Sequence, residues 1–206
     1  EENHKISELF DFTDAFLTPE HLHRMIFEYS VITTADTVMT LRPYQYYAVE
    51  AVLDTVERGS GNGYIWHTTG SGKTLTSFKV SQILSGRADI KKVVFVVDRK
   101  DLDTQTMREF NSFADDSFTD TTNTSTLVDK LNSDDTKLVV TTIQKLNRAV
   151  ASLDRQISHL RDEKVIFIFD ECHRSQFGAT HKRITEFFTN TQLFGFTGTP
   201  IFAENS

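Results

Sequence analysis

Residues 67–74, His-Thr-Thr-Gly-Ser-Gly-Lys-Thr, set a lysine and a hydroxyl directly behind two closely spaced glycines. That combination suits a polyphosphate. Gly70 and Gly72 free the backbone to aim N–H groups at phosphate oxygens, Lys73 brings a mobile positive charge, and Thr74 offers a hydroxyl to Mg²⁺. Thr69 and Ser71 complete the candidate binding loop. The general pattern, G-x-x-x-x-G-K-[ST], opens on a glycine where this chain has His67. His67 ends an apolar run ahead of the glycine turn, so its side chain need not enter the phosphate cradle.

A second candidate lies in "IFIFDECH", residues 166–173, where an apolar run delivers Asp170 and Glu171 to its end. An Asp so placed holds Mg²⁺ through water, and a Glu behind it orients or deprotonates an attacking water. Lys73, Asp170 and Glu171 are therefore the candidate catalytic set. The second carboxylate favours ATP hydrolysis over phosphoryl transfer, because a P-loop kinase must keep water away from the γ-phosphate. Upstream, Gln45 in "RPYQYYAV" carries an amide able to pair with the N6 and N7 edge of adenine. Cys172 is the single cysteine. It excludes an internal disulfide framework and a cysteine zinc site, and we read it as a packing residue, leaving oxygen ligands for any metal.

These residues need a scaffold that brings strand ends together. Five apolar runs read as buried strands: 63–67, 92–98, 137–142, 164–170 and 193–199. Continuous apolarity marks strands covered on both faces, as in a parallel sheet. Helical stretches begin near Lys73, Leu102, Thr126 and Ala179. The expected fold class is therefore α/β, a mainly parallel sheet wrapped by helices. Before the first run, "TPEHLHRMIFEY" predicts a helix capped by Thr18 with Pro19 first, and Leu22, Met25, Ile26 and Tyr29 on one face. A second helix starts at Pro43 and stops at Gly59. Residues 1–17 hold an aromatic cluster, and 115–126 is a polar loop.

The totals exclude other classes. With 206 residues, 38% hydrophobic and 25% charged, the chain suits one α/β domain. No apolar run approaches the roughly 20 residues a membrane helix needs. The net charge of −7 argues against indiscriminate coating of nucleic acid. The chain starts at Glu1 without a signal-like segment, so we expect part of a longer cytoplasmic protein.

Taken in order, "RPYQYYAV", "HTTGSGKT", "VVDRKDLDTQ", "TTIQKL", "DECHRSQFG" and "FTGTP" resemble the Q motif and motifs I, Ia, Ib, II and III of superfamily 2 helicases. The wording is similar to the motor subunits of type I restriction endonucleases, over about Arg42 to Pro200. The resemblance implies a RecA-like P-loop NTPase domain at 41–206, with 1–40 a helical linker from an upstream nuclease domain. It implies ATP and Mg²⁺ as cofactors, double-stranded DNA as track, and methyltransferase and specificity subunits as partners. A second RecA-like domain of the same protein would complete the active site with its arginines. By position, Arg99, Lys100, Thr141, Thr142, Gln144 and Lys145 would meet DNA phosphates, and His173, Thr197 and Thr199 would link the nucleotide to the DNA side. The competing readings are another superfamily 2 helicase or remodelling ATPase, and a nucleotide sensor that never cycles. Three carboxylate-x-lysine triplets, at 89–91, 135–137 and 162–164, mimic a nuclease signature. Each leads into a predicted strand, so we read them as polar strand entrances.

Overall fold

In the computed structural model, residues 6–68, 70–97, 113, 123–152, 154–170 and 177–198 are described. The chain enters through α1 (Leu9–Phe16), α2 (Pro19–His23) and a π-helical turn, Arg24–Glu28. A hairpin of β1 (Ser30–Ile32) and β2 (Val38–Thr40) follows. Next come α3 (Pro43–Glu57), β3 (Gly63–Trp66), α4 (Lys73–Ser85) and β4 (Lys92–Val97). The remainder supplies α5 (Thr124–Asn132), β5 (Leu138–Thr142), α6 (Ile143–Ser152), β6 (Val165–Asp170), α7 (Phe177–Phe187) and β7 (Thr191–Thr197).

All five apolar runs become strands of one sheet, in the order β3-β7-β6-β4-β5, and every neighbouring pair is parallel. Successive side chains point to opposite faces, so each of the four strands β4 to β7 serves two cores. Val93, Phe95 and Val97 pack with Val49, Val52, Phe78 and Leu84 of α3 and α4. Val94 and Val96 pack with Leu127, Leu131, Leu146 and Ile184 of α5, α6 and α7. Both faces are covered at β4 to β7, which is why those runs are continuous rather than alternating; β3, expected to be buried as well, is an edge strand with Tyr64 and Trp66 more than half exposed. Among the described residues no helix is long and apolar enough to cross a membrane.

The structure departs from the sequence reading elsewhere as well, beginning with α1, a helix in the aromatic segment to which the residue pattern assigns no element. Thr18 does cap α2, accepting from His21 N at 3.2 Å, but the helix then widens into the π turn. The Tyr29 N–H donates to Arg24 O rather than one residue later, which swings Tyr29 into the core while Ile26 stays 59% exposed. The expected one-sided stripe is therefore split. The hairpin was not foreseen, its strands being three residues each. Nor was α6, whose apolar positions Ile143, Leu146, Ala149 and Val150 follow a helical period. Finally, β7 begins at Thr191, earlier than expected, because its polar first residues find partners: Thr191 Oγ1 donates to Val165 O at 2.7 Å, and Gln192 Nε2 to Thr55 O and Gly61 O. The helix expected near Leu102 lies outside the described residues.

The carboxylate-lysine triplets do sit at strand entrances, before β4, β5 and β6. There Asp89 pairs with Arg87 at 3.0 Å and Lys164 at 2.8 Å, and Lys91 with Asp134 at 2.6 Å.

Candidate active site

Because all five strands run in parallel, their carboxyl ends share one edge, where ligands bind in open α/β sheets. The phosphate-loop candidate occupies the turn from β3 to α4 at that edge. His67 extends the ladder, its N–H donating to Thr197 O at 3.0 Å. Gly70 and Gly72 hold φ of 79° and 77°, the left-handed region that a β-carbon disfavours. α4 then starts on Lys73 with Gly72 as its N-cap. Helix-start N–H groups and the dipole so point at the space a phosphate would fill.

A knot of side chains from α3 fixes the loop from behind. Tyr44 Oη donates to Ser71 O at 2.7 Å. Gln45 Nε2 donates to Ser71 O and Gly72 O at 3.2 and 3.1 Å, while Gln45 Oε1 accepts from Arg42 N at 2.8 Å. In a trans peptide the N–H points opposite to the C=O. Holding the carbonyls of Ser71 and Gly72 toward α3 therefore turns the N–H groups of Gly72 and Lys73 the other way, toward the ligand side. Gln45 is 3% exposed, and both hydrogens of its amide are engaged in this structure. A β-carbon on Gly72 would lie 2.6 Å from Gln45 Nε2, so that position needs glycine for space as well as for φ. This bracing role was not visible in sequence.

His67 stacks edge-on against Tyr44, with ring centroids 5.3 Å apart, and its Nδ1 is buried without a hydrogen-bond partner. Burial first, and the nearby Lys73 charge second, lower its pKa. The imidazole is thus kept neutral beside the loop, consistent with its place outside the cradle.

Asp170 ends β6 and is 5% exposed; Thr197 ends β7 and is 1% exposed. β7 separates β3 from β6, so the loop strand and the Asp170 strand stand two ladder spacings apart, roughly 9–10 Å. That gap accommodates a phosphate with a metal ion. A threonine hydroxyl at 74 and a carboxylate at 170 are hard oxygen donors of the type Mg²⁺ takes. The expected DNA segment after β5 is at the same edge. There Thr141 and Thr142 are buried, and Thr142 Oγ1 accepts from Lys145 N at 3.3 Å, capping α6. Of the four residues expected to meet DNA phosphates here, Thr141 and Thr142 are covered within this domain, and Gln144 and Lys145 are partly exposed. Thr69, Arg99, Lys100, Glu171, His173 and Thr199 lie outside the described residues.

A parallel sheet with a Gly-x-Gly-Lys-Thr loop between its edge strand and a helix, and a buried carboxylate two strands away, has the layout of a P-loop ATPase domain. The match to a family model, SWI2/SNF2 ATPase, covers residues 44–206. The chain belongs to the type I restriction enzyme endonuclease subunits and carries their SWI2/SNF2 ATPase domain. It is 52% identical over 205 residues to the type I restriction enzyme SsaAORF53P endonuclease subunit of Staphylococcus saprophyticus, covering 99% of this chain and 22% of that one. It is 42% identical over 204 residues to the C-terminal part of the putative type I restriction enzyme MpnIIP endonuclease of Mycoplasma pneumoniae, covering 91% of this chain and 97% of that one. Among solved structures, the Sulfolobus solfataricus SWI2/SNF2 ATPase core in complex with dsDNA superposes with a TM-score of 0.60 at 18% identity, over 85% of this chain and 34% of that one. The chain thus spans about a fifth of the length of the staphylococcal relative.

Proposed function

We propose that this domain is the first RecA-like half of a restriction motor, binding MgATP at the β3–α4 loop and coupling its hydrolysis to movement along double-stranded DNA. The observation that carries the reading is the braced loop: two left-handed glycines, a helix start on Lys73, and carbonyls tied back by Gln45 so that the N–H groups face a ligand. Lys73 neutralises phosphate charge, Thr74 and Asp170 hold Mg²⁺, and Glu171 activates water. Gln45 stands at the base end of the loop, where an adenine edge would compete with two carbonyls for its amide. Gln144, Lys145, Arg99 and Lys100 contact the DNA backbone, with Thr141 and Thr142 shaping the segment beneath. His173, Thr197 and Thr199 link the two sides. Residues 1–40 join this domain to an upstream nuclease domain, residues 41–206 are the motor half itself, and the methyltransferase and specificity subunits join it in a cytoplasmic complex. A motor must grip any sequence, and phosphate contacts supply that.

The test is ATP turnover by the intact protein with and without long double-stranded DNA. Turnover should rise with DNA in the wild type. Glu171→Gln should keep ATP binding and lose turnover by about two to four orders of magnitude, the usual contribution of a general base. ATP binding without turnover would favour a sensor, DNA-independent turnover would favour a kinase, and near-normal turnover in the variant would remove Glu171 from the mechanism.

A further inference from the structure

Beside the loop, on the α3 side, is a cavity of about 730 Å³. Its walls are the glycine turn at 70–72 and the unforeseen hairpin, through Thr33, Ala35, Thr37 and Met39, with Leu75 and Phe113 behind. The size falls within the roughly 300–1,000 Å³ of small-molecule sites. The lining also fits a nucleobase: a thioether and an aromatic ring suit the flat faces of a purine, and threonine hydroxyls suit its polar edge.

The hairpin is no loose flap. Thr33 closes its turn, accepting at Oγ1 from the N–H groups of Ala35 and Thr37. Ser30 Oγ and Thr40 Oγ1 pair across the strands at 2.8 Å. Lys79, a buried residue of α4, donates to Ser30 O at 2.7 Å, and Tyr29 just before β1 bonds Glu50 on α3. The wall is therefore anchored to the same helix that begins at Lys73, and the phosphate end and the cavity hold a fixed relation. Meanwhile Gln45, which also lines the cavity, has both amide hydrogens engaged by the loop.

We propose that the β1–β2 hairpin is the base-binding wall of the nucleotide site, with Met39 and the Thr33–Thr37 turn packing the adenine and ribose. This rests on the MgATP reading above. It assigns a nucleotide-positioning role to residues upstream of every motif, on a segment that sequence alone treats as a linker.

The test uses the intact protein and three probes: 8-azido-ATP, MgATP and inorganic tripolyphosphate. Photolabelling should mark peptides within 30–42, and labelling that spares this segment overturns the proposal. Ala35→Trp, which fills the cavity from the turn, and Met39→Ala, which strips its apolar wall, should each weaken MgATP by roughly ten-fold, about 1.4 kcal/mol, while tripolyphosphate binding stays unchanged. Retained tripolyphosphate binding also certifies that each variant is folded. An unchanged ratio of ATP to tripolyphosphate affinity in both variants overturns the hairpin assignment alone. The Lys73→Ala variant separates the two readings, since it should weaken both ligands. A wild type that binds neither ATP nor tripolyphosphate overturns the nucleotide reading, and this proposal with it.

Discussion

The two edges of the sheet are built from the same residue types and do opposite things. At the entrance edge, lysines meet their partners within the fold. Lys92, 1% exposed, donates to the carbonyls of Lys130, Ser133 and Thr136, and Lys164 and Arg87 share Asp89. At the carboxyl edge, the glycine turn, with Arg42 and Gln45, lines an open cavity instead. Helix polarity accounts for the difference. Connections leaving the carboxyl edge lead into helix N-termini, at Lys73 and Ile143, whose N–H groups attract anions. The entrance edge receives helix C-termini, whose carbonyls attract cations, and Lys92 sits where α5 ends. One edge therefore satisfies its charges within the fold, and the other presents helix-start N–H groups of the kind that suit an anion.

If this contrast is real, substitutions at the carboxyl edge should act on ligand binding, and those at the entrance edge on stability alone. The largest effect is expected from Gly72→Ala. A β-carbon there combines a left-handed backbone with a 2.6 Å approach to Gln45 Nε2, for about 2–4 kcal/mol of strain. Chemical denaturation should show the loss, and isothermal titration should show MgATP binding abolished. Gln45→Ala should follow, at about 1–3 kcal/mol, because the carbonyls of Ser71 and Gly72 lose a buried donor. Its MgATP and tripolyphosphate affinities should fall together, since the loop itself relaxes. A variant that loses only its preference for ATP over GTP would show that Gln45 reads the base and does not brace the loop.

The sequence disclosed the sheet because buried parallel strands are apolar along their length, as β4 is after Lys92 and β6 is before Asp170. It disclosed the loop because Gly70, Gly72, Lys73 and Thr74 follow a strand and open a helix. It could not disclose the brace, since Gln45 as a residue type serves a base edge and two carbonyls equally well. Nor could it place the hairpin, where three-residue strands give alternation too little length to register. α6 did carry a signal, in Ile143, Leu146, Ala149 and Val150, but β5 passes directly into it with no turn residue between them. Lys79 and Lys92 were illegible for a different reason. A lysine in sequence reads as surface, and only tertiary carbonyls such as Ser30 O make its burial tolerable.

Lys79 gives the contrast a pH signature. It is 4% exposed, and burial pushes its ammonium down to about 8, against 10.5 when free. Between those values the unfolded chain binds more protons than the folded one, so stability rises with pH. From pH 8 to 10 the gain should be of order 2 kcal/mol, read as a rising urea midpoint. Above pH 10 the trend should reverse, because Tyr29 and Tyr46, both raised mainly by burial, hold their protons longer when folded. Lys79→Met should flatten the rise.

The smallest expected effect is the most discriminating. Asp89 accepts from Arg87 and Lys164, and these hydrogen bonds hold its carboxyl well below the usual carboxylate range. A depressed folded pKa means stability present above the unfolded value, near 4, and lost as pH falls below it. Yet the Asp89 side chain is 47% exposed, so solvent screens most of the attraction, and Asp89→Asn should cost no more than about 1 kcal/mol. The cost should shrink further in high salt, and the acid limb of the stability curve should lose its Asp89 share. MgATP affinity should not change, because strands β4 and β6 lie between this pair and the loop edge as a rigid, fully buried pair. A measurable drop in MgATP affinity for this variant would show that the two edges are energetically coupled through the sheet. The division between a stability edge and a ligand edge would then fail at its least perturbing point.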